Sequence, residues 1–293
     1  MITTITGYNG KKNKSTFVTA ALSGMCSMTK GTKTLVIQLI DKDLESVEYI
    51  LSGVEDTKVI FNKGLTFTNE GIDGLIRTAD SAIRISQEDF DQMSLALRKE
   101  NRLDVAEMTK SNNFTMSLRQ RVDNIKAILR NANDVYDDVF VLLPSNAPDI
   151  VEEINEQEIV DRSIYCMTQG HFGEAKICGK HPIMLVTEFD EDSKYTLYNL
   201  RKTLKLNSSV GTKKLSYNVG ASDAAKSSEL LRFIANNRDL GPEDTNYQWY
   251  KDLKDLIADI LGVNVNYMET DYTWENSLPF EKELNEEPLV KEE

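Results

Sequence analysis

Apolar residues in this chain fall into two patterns: short, nearly continuous runs, and longer stretches in which they recur every three or four positions. The first pattern predicts buried strands and the second predicts amphipathic helices. ITTIT at 2–6 is a β-branched run that predicts an opening strand. Over 16–28, Phe17, Ala20, Ala21, Gly24 and Met28 share one helical face, and Gly31 ends the helix. TLVIQLI at 34–40 is a strand-length apolar run of the kind a parallel strand needs when both its faces are covered. A short helix is predicted at 44–51 and a strand at 58–61.

Further along, 71–81 and 86–97 read as helices, with Ser86 and Asp89 as a capping pair for the second. A strand is predicted at 102–106. A helix over 118–131 carries Val122, Ile125, Ile128 and Leu129 on one face. VFVLL at 139–143 is the clearest central strand, stopped by Pro144, and SNAP after it reads as a polar loop. Strands at 163–168 and 183–187 follow, then helices at 195–206 and 221–236 with an edge strand at 213–217 between them. A helix at 247–261 closes the ordered pattern.

Strands alternating with helices predict an α/β fold: a mostly parallel sheet with helices on both faces, spanning residues 1–261. Residues 262–293 change character. Glu, Asp, Asn and Pro dominate, broken by Tyr267, Tyr272, Trp274, Leu278 and Phe280, so this end reads as an acidic, partly disordered tail. Ligands of open parallel sheets sit beyond the carboxyl ends of the strands. The loops at 7–15, 41–43 and 143–149 are therefore the ones to watch.

Composition narrows the function classes. The 293 residues are 40% hydrophobic, enough for a sizeable core. A formal net charge of −13 argues against a broad nucleic-acid-binding face. No apolar run is long enough to span a bilayer, and the N-terminus lacks the pattern of a signal peptide. Three cysteines make no disulfide framework, which favours a reducing, cytoplasmic setting.

GYNGKKNKST at 7–16 carries the candidate chemistry. A phosphate-binding loop reads G-x-x-x-x-G-K-[ST] between a strand and a helix. Its glycines let backbone N–H groups curl round phosphates, and the helix adds its dipole. Lys14 and Ser15 supply the closing pair, the lysine for phosphate oxygens and the hydroxyl for Mg²⁺. Asn13 stands where the last glycine belongs and Tyr8 where the first does. Asn tolerates positive φ better than most residues, so Asn13 keeps the curl feasible. The bland alternative is a strand–loop–helix joint with solvated lysines, and these ten residues alone do not separate the two.

In the order of its elements the chain resembles the ParA/MinD family of dimeric P-loop ATPases, closest to the TadZ/CpaE-like branch that places secretion and pilus machinery. GIDGLIRTADS, the helix after it and a short Leu-Asp-Val strand also look like that branch. The family's K-G-G-x-G-K-[ST]-[ST] loop lays Lys14, Ser15 and Thr16 on its end and Gly10 on its first glycine. Asn9 falls on the signature lysine, Lys11 on the second glycine and Asn13 on the third. The Asp-x-Asp pair after the second strand becomes Leu39 and Asp41, the latter at the water-orienting position. The Walker B aspartate becomes Leu142 in YDDVFVLLPS, with Pro144 kept.

The resemblance implies an ATP/ADP site with Mg²⁺, weakened by these exchanges. Its binding set would be Gly10, Lys11, Lys12, Asn13, Lys14, Ser15 and Thr16, with Ser15 on the metal and Asp41 as the catalytic group. Leu142 cannot anchor a Mg²⁺-bound water, and Asn9 cannot balance phosphate charge across a dimer. The expectation is a pseudo-ATPase that works as a homodimeric positioning or assembly factor through protein partners. Two alternatives stand beside it: a competent ATPase with variant motifs that drives partition or localisation, and a structural module with a plugged site. Asn218, Gly220 and Ala221 fall where the family places the nucleotide base. The acidic tail has the wrong charge for anionic lipid, so it is a solubilising end or a docking peptide for a partner.

Other clusters read as structural. Cys166, His171, Cys178 and His181 share a 16-residue window, but their spacing matches no usual zinc pattern. Asp137 and Asp138 precede a strand and read as a solvated turn. Arg119, Arg121, Lys126 and Arg130 read as a salt-bridged helix face.

Overall fold

The computed structural model describes residues 1–8, 14–28, 32–40, 46–52, 71–81, 84–98, 102–108, 118–170 and 176–262. Its eight-stranded sheet has the order β3-β4-β2-β5-β1-β6-β7-β8. These strands are β1 (Ile2–Gly7), β2 (Thr34–Gln38), β3 (Leu95–Arg98), β4 (Leu103–Glu107), β5 (Asp138–Leu143), β6 (Arg162–Thr168), β7 (Pro182–Phe189) and β8 (Gly211–Ser216). All pairs are parallel except β3 with β4. The opening strand is central: Ile5 sits opposite Leu142 of β5 and Ile164 of β6.

Two apolar layers sandwich the sheet, as the near-continuous apolar runs require. One face is covered by α1 (Ser15–Cys26), α2 (Val47–Ser52), α8 (Val219–Lys226), α9 (Leu230–Asn236) and α10 (Tyr247–Leu261). There Leu22, Met25, Leu51, Leu231 and Leu256 meet Val36, Phe140 and Leu185 of the strands. The other face carries α3 (Gly71–Ser81), α4 (Gln87–Met93), α5 (Val122–Val135), α6 (Pro148–Asn155) and α7 (Leu197–Thr203).

Four readings need correction. The helix expected over 86–97 stops at Met93. Ser94 turns extended (φ −114°, ψ 153°), and Leu95–Arg98 becomes an antiparallel edge strand on β4. The capping box of Ser86 and Asp89 is present. The single helix expected over 221–236 is two, broken where Ser228 takes a left-handed φ of 63°. The polar loop after β5 is short, because Pro148 opens α6 at a position where its missing N–H costs nothing.

Asp138 is the fourth. It is not a solvated turn residue but the buried first residue of β5, and it accepts a hydrogen bond from the Cys26 thiol at 3.3 Å. Burial pushes both its carboxyl and that thiol upward. The strand expected at 58–61 and the tail at 263–293 lie outside the described residues. No helix among the described residues is long and apolar enough to cross a membrane.

Candidate functional site

The carboxyl end of β1 leads into the amino end of α1 at the middle of the sheet. Tyr8 leaves β1 buried, its N–H donating to the Cys166 carbonyl at 2.7 Å. Gly10, Lys11, Lys12 and Asn13 lie outside the described residues, as does Asn9. Lys14 is the N-cap of α1, in the left-handed region (φ 56°, ψ 21°), and its side chain does not cap the helix. Its carbonyl accepts the first intrahelical bond from Val18 N–H at 2.9 Å. Ser15 and Thr16 form the buried first turn. An N-terminus left without a side-chain cap favours an anion.

The Lys14 side chain turns into a cleft of about 320 Å³ between α1, α2, α8 and α10. One wall is aromatic. Trp249 of α10 lies edge-on to Phe233 at 5.6 Å and 6.3 Å from the Phe17 ring. Tyr49 and Tyr217 stand at the rim, each more than a third exposed.

Polar side chains fix the other walls. Asn218 caps α8 by accepting from Ala221 N–H at 2.7 Å and donates to Asn246 Oδ1 at 3.0 Å. Ser216, at the end of β8, donates through its N–H and hydroxyl to the buried Asp252 carboxylate at 2.9 and 2.6 Å. The start of α2 is pinned from below. Gln38 Oε1 accepts from Val47 N–H at 3.0 Å, and Glu107 Oε1 accepts from the Ser46 hydroxyl at 2.7 Å and Glu48 N–H at 3.0 Å. Three carboxyl strand ends (β2, β4 and β8) thus set the walls of the cleft.

The charged residues lining the cleft are Lys14, Glu188 and Lys226, and the last pairs with Asp223 on its own helix. Lys14 Nζ lies 3.4 Å from Glu188 Oε1, with 39% and 40% of the two side chains exposed. Glu188 sits in a bulge of β7, where Val186 to Phe189 spans the β8 register of Lys214 to Ser216. It too is left-handed, with φ 51°.

The two acid positions of the resemblance are filled by packing. Leu39 N–H donates to Leu142 O at 2.8 Å, and both side chains are fully buried, in opposite layers of the core. Neither offers a carboxylate to a metal. Asp41 and Asp43 lie outside the described residues.

The structure brings Lys14 and Asn218 to one cleft, while Ser15 and Thr16 are buried in the first turn of α1 and do not line it. Gly220 stands behind it, where an added Cβ would sit 2.9 Å from the Phe233 ring. Sequence reading missed Glu188 and Trp249. The rule that ligands gather at carboxyl strand ends points to the end of β7, where Glu188 is the next-to-last residue. Nothing in the helical pattern singled out Trp249.

The other clusters resolve simply. Cys166 is buried inside β6, and burial raises its thiol. Cys178 N–H donates to the Tyr165 hydroxyl at 3.0 Å, His181 is exposed, and His171 is outside the described residues. Among the described residues no three metal-ligating side chains come together. Arg119, Arg121 and Lys126 pair with Asp149, Asp73 and Glu153, a salt-bridged surface as expected.

No family model matches the sequence, and no curated protein sequence is significantly similar to it. The fold does have solved counterparts. A ParA family ATPase from Chlorobium tepidum TLS superposes with a TM-score of 0.61 at 13% identity, covering 87% of this chain and 98% of that one. A Cyanothece McdA variant in complex with ATP gives a TM-score of 0.52 at 10% identity, covering 90% and 97%. MinD from Aquifex aeolicus, in its complex with MinC, gives 0.50 at 12% identity, covering 90% and 96%. With its mostly parallel eight-stranded sheet, central first strand and helices on both faces, this chain has the fold of the ParA/MinD-type P-loop ATPases.

Proposed function

We propose that this chain is a ParA/MinD-like positioning or assembly factor that binds ATP or ADP with Mg²⁺ weakly and hydrolyses it slowly or not at all. The observation that carries this reading is the pairing of a lysine-rimmed helix start at the central strand with leucines in place of acids. Lys14 borders both the amino end of α1 and an aromatic cleft. Leu39 and Leu142 are locked in the core.

Lys14 at an α1 start without a side-chain cap supports an anion site. Backbone N–H groups of 10–13, with Lys14, would hold phosphate oxygens, Ser15 would reach a metal, and Thr16 would close the first turn. Trp249, Phe17 and Asn218 would face the base. When bound, Mg²⁺ would screen the phosphate charge. With no carboxylate at Leu142 to anchor its water, the remaining candidate for orienting an attacking water is Asp41. In this reading residues 1–261 form the nucleotide domain, the protein acts as a homodimer, and the acidic tail serves protein contacts. The machine served is a secretion, pilus, conjugation or partition system. The McdA relative was solved with ATP and the MinD relative with MinC, which supports nucleotide and protein partners as classes.

Calorimetry of ATP and ADP, with and without Mg²⁺, tests this on wild type and Lys14→Ala. The reading expects micromolar-to-millimolar binding that Lys14→Ala weakens about tenfold or more, a loss typical of a charge-assisted contact. Turnover at ordinary enzymatic rates would remove the pseudo-ATPase half. Failure to bind any nucleotide would leave a structural module.

A further inference from the structure

Glu188 is a built feature of the cleft. β7 carries one more residue than β8 between Val186 and Phe189, a bulge that re-aims a side chain. Glu188 takes a positive φ there, and Lys14 takes one at the facing helix start. Non-glycine residues in this region carry backbone strain, and such strain gathers at functional sites. Two strained positions from separate elements meet in one ion pair at 3.4 Å. Both residues line the same cleft, beside Phe17 and Trp249.

We propose that Glu188 sets the charge selectivity of this cleft: it is an internal anion that occupies Lys14, and a phosphate ligand must displace it. This rests on the nucleotide reading of the site. Each negative charge a ligand brings near Lys14 meets the Glu188 carboxylate as well as the lysine. The cleft therefore disfavours free triphosphate more than diphosphate, and it favours nucleotide whose charge a bound Mg²⁺ has reduced. A neutral nucleoside escapes the penalty. Glu188 thereby keeps the lysine oriented between ligands and filters what replaces it.

The test compares wild type with Glu188→Gln and with Glu188→Asn, because Asn is at ease in the left-handed region and guards against a folding defect. Glu191→Gln is the charge control, since Glu191 lies three residues on and pairs with Lys214 instead. Affinities for ATP without Mg²⁺, ADP without Mg²⁺, MgATP and adenosine are measured by calorimetry at low salt. Loss of a half-exposed charge a few ångströms from the phosphates is expected to tighten metal-free ATP about five- to tenfold. The gain should be smaller for ADP and MgATP and absent for adenosine. It should shrink at 0.5 M salt, where screening is strong.

Equal ATP affinity in wild type and both Glu188 variants overturns the proposal and leaves the nucleotide site standing. An equal gain in Glu191→Gln also overturns it, because net charge would then be the cause. If no form of the protein binds ATP, the nucleotide reading and this proposal fall together, a result distinct from equal affinity.

Discussion

Replacing Trp249 with alanine should cost the protein much of its stability, and the size of the loss follows from where the indole sits. It is 2% exposed, edge-on to Phe233 and close to Phe17, so it joins α10, α9 and α1. Roughly 200 Å² of buried aromatic surface at about 25 cal/mol/Å² sets a ceiling near 5 kcal/mol. Compactness of the unfolded chain trims that by roughly 10–40%. The cleft lies alongside, so water can enter the vacated space and the dry-cavity penalty is small. The expected loss is about 3 kcal/mol, or a Tm lower by about 6–12 °C for a domain of this size. Trp249→Phe, which keeps a ring against Phe233, should lose about half as much. Urea unfolding followed by far-UV circular dichroism measures both. An alanine variant within 1 kcal/mol of wild type would show that the indole does not hold these helices together, and the aromatic wall would lose its meaning as a rigid surface.

Gly71→Ala should destabilise by about 2–4 kcal/mol, because φ is +66° and the new Cβ would lie 2.3 Å from the Glu107 carbonyl oxygen; a denaturation midpoint unchanged from wild type sinks this. Asp138→Asn should leave stability equal or raise it by about 1 kcal/mol at pH 7. Burial raises the Asp138 carboxyl, with Cys26 and the Met1 amine opposing, so the folded state binds the proton more tightly. Wild type therefore gains stability as pH falls through that raised value toward the usual one near 4, and the advantage of the variant should vanish there; a variant weaker at pH 7 contradicts it. Ser86→Ala should cost about 0.5–2 kcal/mol by opening the capping box. Ser86 also holds the Asp89 carboxyl below its usual value, so the loss should fade as pH drops below about 4; urea melts at pH 7 and pH 3 check it.

Much of the fold was legible because the strongest signals are two-sided burial and helical period. VFVLL and TLVIQLI read as strands covered on both faces; the first forms all of β5 but its opening Asp138, and the second contains the whole of β2. Misreadings arose where one pattern imitates another. Leu95 and Leu97 fit a helical face and a strand equally, and only pairing with β4 decided for the strand. The break between α8 and α9 carries neither Gly nor Pro; it rests on Ser228 adopting a left-handed turn that its sequence does not demand. The site was legible along the chain but not across it. Lys14 and Asn218 were visible from the loops they occupy. Glu188 was not, since its direction depends on a bulge set by how β7 registers against β8.

The leucines at 39 and 142 connect the fold to the chemistry. A carboxylate at the end of a central strand is tolerable where a metal or a donor meets it, and otherwise carries a large desolvation cost. Leu142 sits at such a strand end with 0% exposure, among the side chains that hold α1 to the sheet. There its side chain adds apolar contact beneath α1, where a carboxylate would leave a buried charge. Leu39, also fully buried, packs in the opposite layer, away from α1. Among the described residues, the carboxylate paired with Lys14 comes from β7 rather than from the two central strand ends.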